Sequence, residues 1–437
     1  MKSVYLQTFG CQMNERDSEI VLGQLFRRGY RPADSPESAD LLLYNTCSVR
    51  DHAEQRVFGR MGHFKHLKAA RPGMVIGILG CMAQEHGPDF FRRNPEIDLV
   101  CGTGNLAQVP DLVEAIAEDR APRLATDRLD APYALEDAGW RRETWRADIT
   151  IMVGCDHRCT YCIVPYTRGV ERSRASADIV AEVKDLERRG YQEVMLLGQN
   201  VNSYGKGLGE DTDFAGLLAL LQREAPGIGR IRFTTSHPKD AHTRLFTAMR
   251  DLPAVCEHLH LPVQSGSDHI LRRMKREHTI GWYLEQIEEY RRLVPDGSLT
   301  TDAIVGFPGE TEEDFEETVR LFERVRFDAA YLFQYSPRPG TPALKLADDV
   351  PVPEKARRLQ RLLAVQRAIA LDRNRSLIGT EVEVLFEGRS RRAEDRYVGR
   401  TRQFKRVIAA STEDLSARTR RVRVTGAADE TLLGELI

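Results

Sequence analysis

The first 120 residues of the chain alternate between apolar strand patterns and helix patterns. The strand patterns read VYLQTFGC, LLLYNTC, MVIGILGC and DLVCGTG, beginning at positions 4, 41, 74 and 98. This alternation predicts an α/β domain with an open parallel sheet and crossover helices. The carboxyl ends of parallel strands lie at one edge of the sheet, where ligand sites form. Since Cys11, Cys47 and Cys81 (here the sheet cysteines) each end a strand pattern, we expect their thiols to meet there.

A second series of strand and helix patterns follows a segment rich in charge and proline. Its six strand patterns, which end near residue 343, are too many for the first sheet and predict a separate, partial (β/α)6 barrel. A long Arg-rich helix is predicted over residues 352–377. The last sixty residues show alternation and turn residues, which predict a small C-terminal all-β barrel. The predicted parts are 1–122, a linker 123–146, 147–377 and 378–437.

Charge and hydropathy exclude several classes of protein. The 63 Lys and Arg residues are balanced by 65 Asp and Glu, so any RNA contact must come from a local patch. Twelve Lys and Arg residues stand against four Asp and Glu between Arg389 and Arg423, with Tyr397 and Phe404 among them. This patch fits RNA binding, and a solvated surface is the alternative. The longest apolar run, residues 74–83, is far shorter than the roughly 20 residues that span a bilayer. With no signal core at the N-terminus, we expect a cytoplasmic protein with no membrane partner.

The segment MVGCDHRCTYCIVPYTRG holds three more cysteines, Cys155, Cys159 and Cys162 (here the loop cysteines). In a reducing compartment such cysteines favour metal ligation over disulfides. Structural zinc takes four ligands, usually in paired C-x-x-C elements, whereas iron–sulfur clusters take thiolates from short cysteine runs. A four-iron cluster held by three thiolates leaves one iron open to a substrate. The C-x3-C-x2-C spacing, with Tyr161 before the last cysteine, is the signature of radical S-adenosylmethionine enzymes.

The chain also resembles the methylthiotransferases over essentially its whole length. The resemblance rests on QTFGCQMNERDS, NTCSVR, GCMAQ, CTYCIVPYTRG, LLGQNVNSYG, FTTSHP, LHLPVQSGSD, AIVGFPGET and FQYSPRPGTPA. TFGCQMN favours the branch that modifies isopentenylated tRNA, because the branch acting on a ribosomal-protein aspartate tends to carry Pro-Lys there and the threonylcarbamoyladenosine branch Lys-Val. The C-terminal barrel resembles the RNA-binding TRAM module. Phe404 is a departure, since relatives usually carry Asn at that position.

This resemblance implies two [4Fe–4S] clusters and S-adenosylmethionine as cofactors. The loop cysteines would hold the cluster that cleaves S-adenosylmethionine to a 5′-deoxyadenosyl radical, and the sheet cysteines the cluster that carries the sulfur. The radical would take the hydrogen from C2 of N6-isopentenyladenosine 3′ to the anticodon, with S-adenosylmethionine also donating the methyl group. Radical chemistry suits this carbon, because its hydrogen is unactivated. The implied partners are isopentenylated tRNA, an electron donor such as flavodoxin or ferredoxin, and a sulfur donor, and the chain is expected to be a monomer.

Candidate contacts for S-adenosylmethionine lie at the ends of predicted barrel strands and in the cysteine loop. They are Gly198, Gln199, Asn200, Ser236, Gln264, Ser265 and Tyr161. A simple turn is the alternative for Gly198 to Asn200. His237 is expected to be structural, because Pro238 forces an extended backbone before it.

Two cysteines remain outside these sets. Cys101 ends the fourth strand pattern of the first sheet, but a fourth thiolate would close the cluster and prevent sulfur binding. We therefore expect Cys101 not to be a ligand and Cys256 to be a core residue.

Other functions stay open at this point. The enzyme could act on threonylcarbamoyladenosine tRNA or on a ribosomal-protein aspartate. A protein of a different class, a non-catalytic iron–sulfur RNA-binding redox protein, would need four protein ligands per cluster. Two separate three-cysteine sets favour catalysis.

Overall fold

Six parallel strands form the N-terminal sheet. The computed structural model describes residues 2–48, 51–127 and 139–437. The strands of this sheet are β1 (Ser3–Thr8), β2 (Arg31–Pro32), β3 (Leu41–Thr46), β4 (Val75–Gly80), β5 (Leu99–Cys101) and β6 (Arg123–Ala125). Its helices are α1 (Gln12–Arg27), α2 (Asp51–Met61), α3 (Phe64–Ala70), α4 (Cys81–His86), α5 (Asp89–Arg93) and α6 (Val109–Asp119). The strand order is β2-β1-β3-β4-β5-β6, which confirms the predicted open parallel sheet.

Strand β6 lies where the sequence predicted the start of a linker. It pairs with β5 through Leu99↔Arg123, Val100↔Leu124 and Cys101↔Ala125. Three residues are too few to show a periodic pattern, so this strand could not be predicted from the sequence. Residues 128–138 of the predicted linker lie outside the described residues.

The second series of strands forms a partial barrel. Its strands are β7 (Arg146–Thr150), β8 (Met152–Val153), β9 (Arg172–Ser173), β10 (Glu193–Leu197), β11 (Arg230–Phe233), β12 (His258–His260), β13 (Ser298–Val305) and β14 (Ala329–Gln334). Its helices are α7 (Val164–Thr167), α8 (Ser176–Arg188), α9 (Phe214–Glu224), α10 (Thr243–Asp251), α11 (Asp268–Arg273), α12 (Ile280–Leu293), α13 (Glu312–Val325) and α14 (Val352–Arg375). Two parallel sheets, β7-β10-β11 and β12-β13-β14, meet at a bridge between Ile231 and Val255. The six predicted strands are thus confirmed, and β7 and β14 are the free edges of the open barrel.

Alternation along each strand separates a helix-covered outer face from an inner face. On β14, Ala330 and Leu332 pack against the large apolar core that the outer helices cover. Tyr331 and Phe333 lie on the opposite, inner face and are 51% and 39% exposed. Helix α1 of the N-terminal sheet contacts the other edge strand, β7. The inner face is therefore open beside β14.

The C-terminal residues form a closed five-stranded barrel, as predicted. Its strands are β15 (Glu381–Ser390), β16 (Ala393–Thr401), β17 (Arg406–Ala410), β18 (Thr419–Ala427) and β19 (Leu432–Leu436), in the order β15-β16-β17-β19-β18. Its core is apolar and includes Val384, Phe386, Val407 and Val422. No helix among the described residues has the length and hydropathy needed to cross a membrane.

The turn between β16 and β17 inserts into the base of the partial barrel, where the barrel strands begin. Arg232 donates to the carbonyl oxygens of Arg402 and Thr401 at 2.7 and 2.8 Å. Ser298 donates from Oγ to the carbonyl oxygen of Gln403 at 2.7 Å. Phe404 stacks on His258 with ring centroids 5.0 Å apart. The C-terminal barrel thus closes the base of the larger one.

This docking corrects the interpretation of Phe404 and Tyr397 as part of an RNA-binding surface. Phe404 contacts the guanidinium groups of Arg232 and Arg400 as well as His258, so it belongs to the interface between the barrels. Its φ of 65° lies in the left-handed region, which Asn tolerates better than Phe. Tyr397 is 1% exposed and lies in the core of the small barrel.

We predict that Arg232→Met will destabilise the protein by about 3–5 kcal/mol, because it leaves the buried carboxylate of Glu193 without its partner. Arg232 Nε donates to Glu193 Oε2 at 2.7 Å, and both side chains are at least 96% buried. The measurement is the free energy of unfolding from chemical denaturation. Arg188→Met is the matched control, since that side chain is 75% exposed and should change stability by less than about 0.5 kcal/mol. Equal losses in both variants would contradict the prediction.

Candidate functional site

The sheet cysteines lie at the carboxyl ends of three adjacent strands, as predicted. Cys11 follows β1 and precedes α1, Cys47 follows β3, and Cys81 begins α4 directly after β4. A hydrogen bond with Cys47, reinforced by the charge of Arg168, lowers the pKa of the Cys11 thiol to about 6 against the effect of burial. Burial raises the pKa of Cys81, and the charge of Cys11 adds to this rise. The three thiols are therefore electrostatic neighbours.

An asparagine pair holds the strand ends that carry these thiols. Asn14 donates to Asn45 Oδ1 at 3.0 Å and to the carbonyl oxygen of Thr46 at 2.9 Å, while Asn45 donates back to the Asn14 carbonyl oxygen. The thiol of Cys11 donates to Asn14 Oδ1 at 3.3 Å. Gly10 has a φ of 141°, and a Cβ there would lie 2.5 Å from Cys47 Cβ. Only glycine allows this close approach of the two strand ends.

Arg168, a residue of the partial barrel, reaches into this site. It is 9% exposed, and its Nη2 lies 2.8 Å from Asp17 Oδ2 and 3.5 Å from Asn14 Oδ1. Asn14 Oδ1 therefore lies within hydrogen-bond distance of both Cys11 and Arg168. The preceding residue, Thr167, lies near Cys81 and lowers the pKa of its thiol. The segment that carries the loop cysteines thus also supplies a buried cation to the sheet cysteines.

The loop cysteines lie on the connection between β8 and β9. The amide of Cys155 donates to the carbonyl oxygen of Gly169 at 3.2 Å, and that of Cys162 to Cys159 at 3.1 Å. Thr160 anchors the loop to the end of α11, donating from Oγ1 to the Arg273 carbonyl oxygen at 3.0 Å. These bonds fix the curvature of the loop before any ligand binds.

Burial and the charge of a neighbouring cysteine raise the pKa of two of these thiols. Burial raises the pKa of Cys155 to about 11 and that of Cys162 to about 12, and the charge of Cys159 adds to both shifts. Arg276 donates from Nη1 to Cys159 Sγ at 3.5 Å. Cys155 and Cys162 are therefore protonated near neutral pH in the metal-free chain, and metal binding must release their protons.

Both cysteine sets fit an iron–sulfur cluster better than a single ion. Thiolates on one zinc ion lie about 4 Å apart, since each Zn–S bond is about 2.3 Å. Among the described residues, neither cysteine set has all its sulfur atoms within 4.8 Å of one another. A cluster spreads its thiolates over several irons and needs the wider spacing. Ser48 Oγ, next to Cys47, is buried without a hydrogen-bond partner, as suits a group that meets a bound cluster.

The candidates that follow β10 and β11 lie side by side, joined by the bond from Val201 N to the Thr235 carbonyl oxygen. Gly198 packs so closely that a Cβ would lie 2.5 Å from Met152 Cγ. Gln199 Oε1 is buried with no hydrogen-bond partner and is free to bind a ligand. Ser236 is 4% exposed and donates to Asn202 Oδ1 at 3.2 Å.

Asn200 is the centre of a polar network that ties the cysteine loop to the strand ends. It donates to Asp240 Oδ2 at 2.7 Å, accepts from the His237 amide at 3.0 Å and lies 3.2 Å from His157 Nε2. Both ends of its amide therefore have protein partners. Its support for the loop follows from the structure, and its direct contact with a cofactor stays a prediction.

The candidates on the other half of the barrel are also held by the protein. Gln264 has a φ of 73° and bridges to β13 through backbone bonds with Asp302 and Ile304. Ser265 is fully buried, 3.5 Å from Thr318 Oγ1, and accepts from the Ser267 amide. Tyr161 packs edge-on against Phe307, with ring centroids 6.5 Å apart. Within the described residues, no hydrogen bond links Gln264, Ser265 or Tyr161 to Gln199 or Asn200.

His157, His237 and Asp240 place their ligand atoms within 4.8 Å of one another. The two imidazoles stack 4.0 Å apart with an interplanar angle of 11°. Lone pairs of imidazole nitrogens lie in the ring plane, so those of parallel rings do not converge on one ion. Burial also lowers the pKa of His237 far below its usual range. This group works as a packed support beside the loop, consistent with the expected structural role of His237.

Two cysteines lie away from both sets, as expected. Cys101 packs in the apolar core of the N-terminal sheet with Leu99 and Ala125. Burial alone raises its pKa strongly, without any contribution from another thiol. Cys256 is 2% exposed and lies near Arg232 and Arg402.

Three residues of the site were missed by the sequence analysis. Asp17 lies on the helix that follows Cys11 and its partner Arg168 lies in the segment of the loop cysteines, and neither is among the candidate residues above. Arg276 is separated from Cys159 by more than a hundred positions. A pair of charges in an otherwise apolar setting is visible only once the two domains are packed together.

Three cysteines on a loop of a partial parallel barrel define the radical S-adenosylmethionine enzymes. In agreement, the model of the Radical SAM superfamily matches residues 149–322, and that of the uncharacterized protein family UPF0004 matches residues 3–102. A radical S-adenosylmethionine methyltransferase, TsrM from Kitasatospora setae, solved with cobalamin and a [4Fe-4S] cluster, shares the fold with a TM-score of 0.57 at 16% identity, over 78% of this chain and 77% of that one.

Relatives of known name match over almost the whole chain. The tRNA-2-methylthio-N(6)-dimethylallyladenosine synthase of Thermoanaerobacter sp. (strain X514) is 48% identical over 99% of this chain and 92% of its own. The synthase of the same name from Moorella thermoacetica is 46% identical over 100% of this chain and 98% of its own. The chain belongs to the tRNA-2-methylthio-N(6)-dimethylallyladenosine synthase family.

We predict that Arg168→Met will weaken the cluster site of the sheet cysteines, because Asp17 would then place an unpaired buried charge beside anionic thiolates. Iron content should fall from about eight toward about four per chain after reconstitution, at four irons per cluster. The double variant Asp17→Asn with Arg168→Met leaves no unpaired charge and should recover part of this iron.

The second measurement is the midpoint potential of any cluster that the sheet cysteines still bind. Because a nearby cation stabilises the reduced cluster, any cluster kept by the double variant should have a lower potential than in the native chain. Native iron content together with a native potential in Arg168→Met would contradict the assignment.

Proposed function

We propose that this protein methylthiolates C2 of N6-isopentenyladenosine 3′ to the anticodon of tRNA, with S-adenosylmethionine as both methyl donor and radical source. The observation that carries the proposal is the meeting of two three-cysteine sets from two domains, joined through Thr167 and Arg168. Three ligands per set leave one open position at each site. When bound, the [4Fe–4S] clusters supply an electron for cleavage of S-adenosylmethionine at the loop cysteines and hold the inserted sulfur at the sheet cysteines.

Side chains of the protein place positive charge and hydrogen-bonding groups at the two cysteine sites. Arg276 donates to Cys159, and Arg168 places a positive charge beside Cys11 and Cys81. Gln199 offers its buried oxygen to the amino group of S-adenosylmethionine. The short path from Cys162 to Arg168 keeps the radical source near the sulfur, which limits escape of a reactive intermediate.

The C-terminal barrel is the proposed contact for tRNA phosphates. Arg400, Arg402 and Lys405 are held in ion pairs with Glu387, Glu257 and Asp328. Exposed arginines without an ion pair among the described residues are Arg389, Arg391, Arg392, Arg396, Arg406 and Arg418, whereas the exposed Arg421 and Arg423 share the carboxylate of Glu381. Phosphate contacts of this kind make binding weaken as salt rises.

The proposal extends to partners and organisation. A low-potential electron donor such as flavodoxin or ferredoxin and a separate sulfur donor are required, and the chain acts as a cytoplasmic monomer. The N-terminal sheet, the partial barrel and the C-terminal barrel act as the sulfur-carrying, radical-generating and RNA-binding parts.

Tyr331 and Phe333 suit the target nucleoside. They lie on the inner face of β14 beside Asp302 and Ile304, to which they are paired in register. Aromatic rings stack on nucleobases for about 1–3 kcal/mol per base, and the isopentenyl group is itself apolar. The open edge of the barrel thus offers an aromatic surface to a base that has left the anticodon loop.

We predict that Tyr331→Ala and Phe333→Ala will raise KM for an isopentenylated anticodon stem-loop about tenfold or more, since each removes part of a stacking surface. The rate of S-adenosylmethionine cleavage without RNA should change little. Trp282→Ala is the matched control, because that ring is 38% exposed on the outer helix α12. A KM change of the same size in the control would remove the support for a base site on β14.

A paired assay on Cys47→Ala separates radical formation from sulfur insertion. In the presence of isopentenylated tRNA, we expect S-adenosylmethionine to give 5′-deoxyadenosine while no methylthio nucleoside appears, because the loop cysteines remain intact. Cys101→Ala, a buried thiol of the same sheet outside the site, should keep both products.

Retained methylthiolation in Cys47→Ala would show that the sulfur comes from elsewhere. Loss of both products from the folded variant would place the sheet cysteines on the electron path. Mass spectrometry of the nucleosides also distinguishes the isopentenylated substrate from threonylcarbamoyladenosine.

A further inference from the structure

A cleft with a volume of about 500 Å³ opens beside the loop cysteines. It is lined by Asp156, Arg158, Arg272, Lys275, Arg276 and Glu277. Four of these six side chains are cationic. None of them is among the predicted contacts for S-adenosylmethionine or RNA.

The four cations of this cleft outnumber its two carboxylates, Asp156 and Glu277. Glu277 is already engaged, 2.6 Å from Lys239 Nζ and 3.0 Å from His157 Nδ1. Within the described part of the chain, no carboxylate lies at ion-pair distance from Arg158, Arg272 or Lys275, which are all exposed. The cleft therefore presents a positive surface to solvent, although the chain as a whole carries a net charge of -2.

The floor of the cleft reaches the cysteine site directly. Arg276 lines the cleft and donates from Nη1 to Cys159 Sγ at 3.5 Å. Its Nη2 donates to the Pro262 carbonyl oxygen at 2.8 Å. A single fixed side chain thus separates the cleft from a thiol of the radical-generating site. This cleft therefore combines an exposed positive surface with direct contact to the site of the loop cysteines.

We propose that the cleft docks an acidic flavoprotein of the flavodoxin class that delivers the electron for cleavage of S-adenosylmethionine. The inference rests on the proposed function, which requires one electron per cleavage. The reduced flavin of the donor loses one electron, and the sulfonium accepts it as its S–C5′ bond breaks to give methionine and the 5′-deoxyadenosyl radical. Transient electron-transfer complexes use small, charged interfaces, and opposite charge speeds their encounter.

RNA is the competing occupant, because its phosphates are also anionic. The cleft lies at the carboxyl ends of the barrel strands, whereas the C-terminal barrel docks at their beginnings through Arg230 and Arg232. The two positive surfaces are thus at opposite ends of the same barrel. This separation lets the electron donor bind at one end of the barrel while the C-terminal barrel holds tRNA phosphates at the other.

The test compares two reductants on the double variant Arg272→Glu with Lys275→Glu. With reduced flavodoxin, KM for the donor should rise about tenfold or more through like-charge repulsion. With dithionite, which needs no docking surface, the rate of 5′-deoxyadenosine formation should match the native rate. In the native chain, added salt should raise KM for flavodoxin and leave the dithionite rate unchanged.

The matched control is Arg188→Glu with Arg223→Glu, two exposed side chains on the outer helices α8 and α9. It should keep the native KM for flavodoxin. An unchanged KM in the cleft variant, or an equal loss with both reductants, overturns the proposal. Lower affinity for the anticodon stem-loop with unchanged flavodoxin kinetics overturns it in favour of RNA. Failure of the proposed function is a separate result, because the native chain would then make no methylthio product with either reductant.

Discussion

The buried ion pair between Arg168 and Asp17 determines how the two cysteine sites face each other. One partner belongs to the segment that follows the loop cysteines, and the other lies on the helix that begins after Cys11. Neither charge can be buried alone without a cost of several kcal/mol. The pair therefore fixes the position of one domain against the other. It does so at the place where the two cysteine sites must come together. Outer pairs such as Arg338 with Glu54, 2.7 Å apart, reinforce the same arrangement.

Hydrogen bonds of neighbouring side-chain amides hold the backbone around the two cysteine sites in place. Asn14 and Asn45 exchange hydrogen bonds between α1 and β3, and Asn200 links its strand end to the cysteine loop. Side-chain amides suit this task because each offers both a donor and an acceptor. Side-chain amides thus support both cysteine sites, and each site also has an arginine beside a thiol, Arg168 near Cys11 and Arg276 near Cys159.

Much of the architecture followed from local patterns. The strands of both α/β parts and the placement of Cys11, Cys47 and Cys81 depend on apolar periodicity, which a sequence displays directly. Contacts between distant segments were not visible in the same way. Ser236 and Ser265 are used within the protein, and Phe404 belongs to a domain interface, because packing of separate elements decides these roles. Asp17 shows the same limit, since its partner is about 150 positions away.

The docking of the last five strands has a consequence for how the chain is made. Arg230 and Arg232 lie at the base of the partial barrel and complete their bonds only with residues beyond position 382. During synthesis the N-terminal sheet can fold early, whereas the barrel base stays open until the end of the chain has left the ribosome. A chain that stops before this segment leaves two arginines and an unfilled interior exposed to water. The C-terminal barrel therefore couples the final packing of the catalytic barrel to its own synthesis, because its residues fill the base of that barrel.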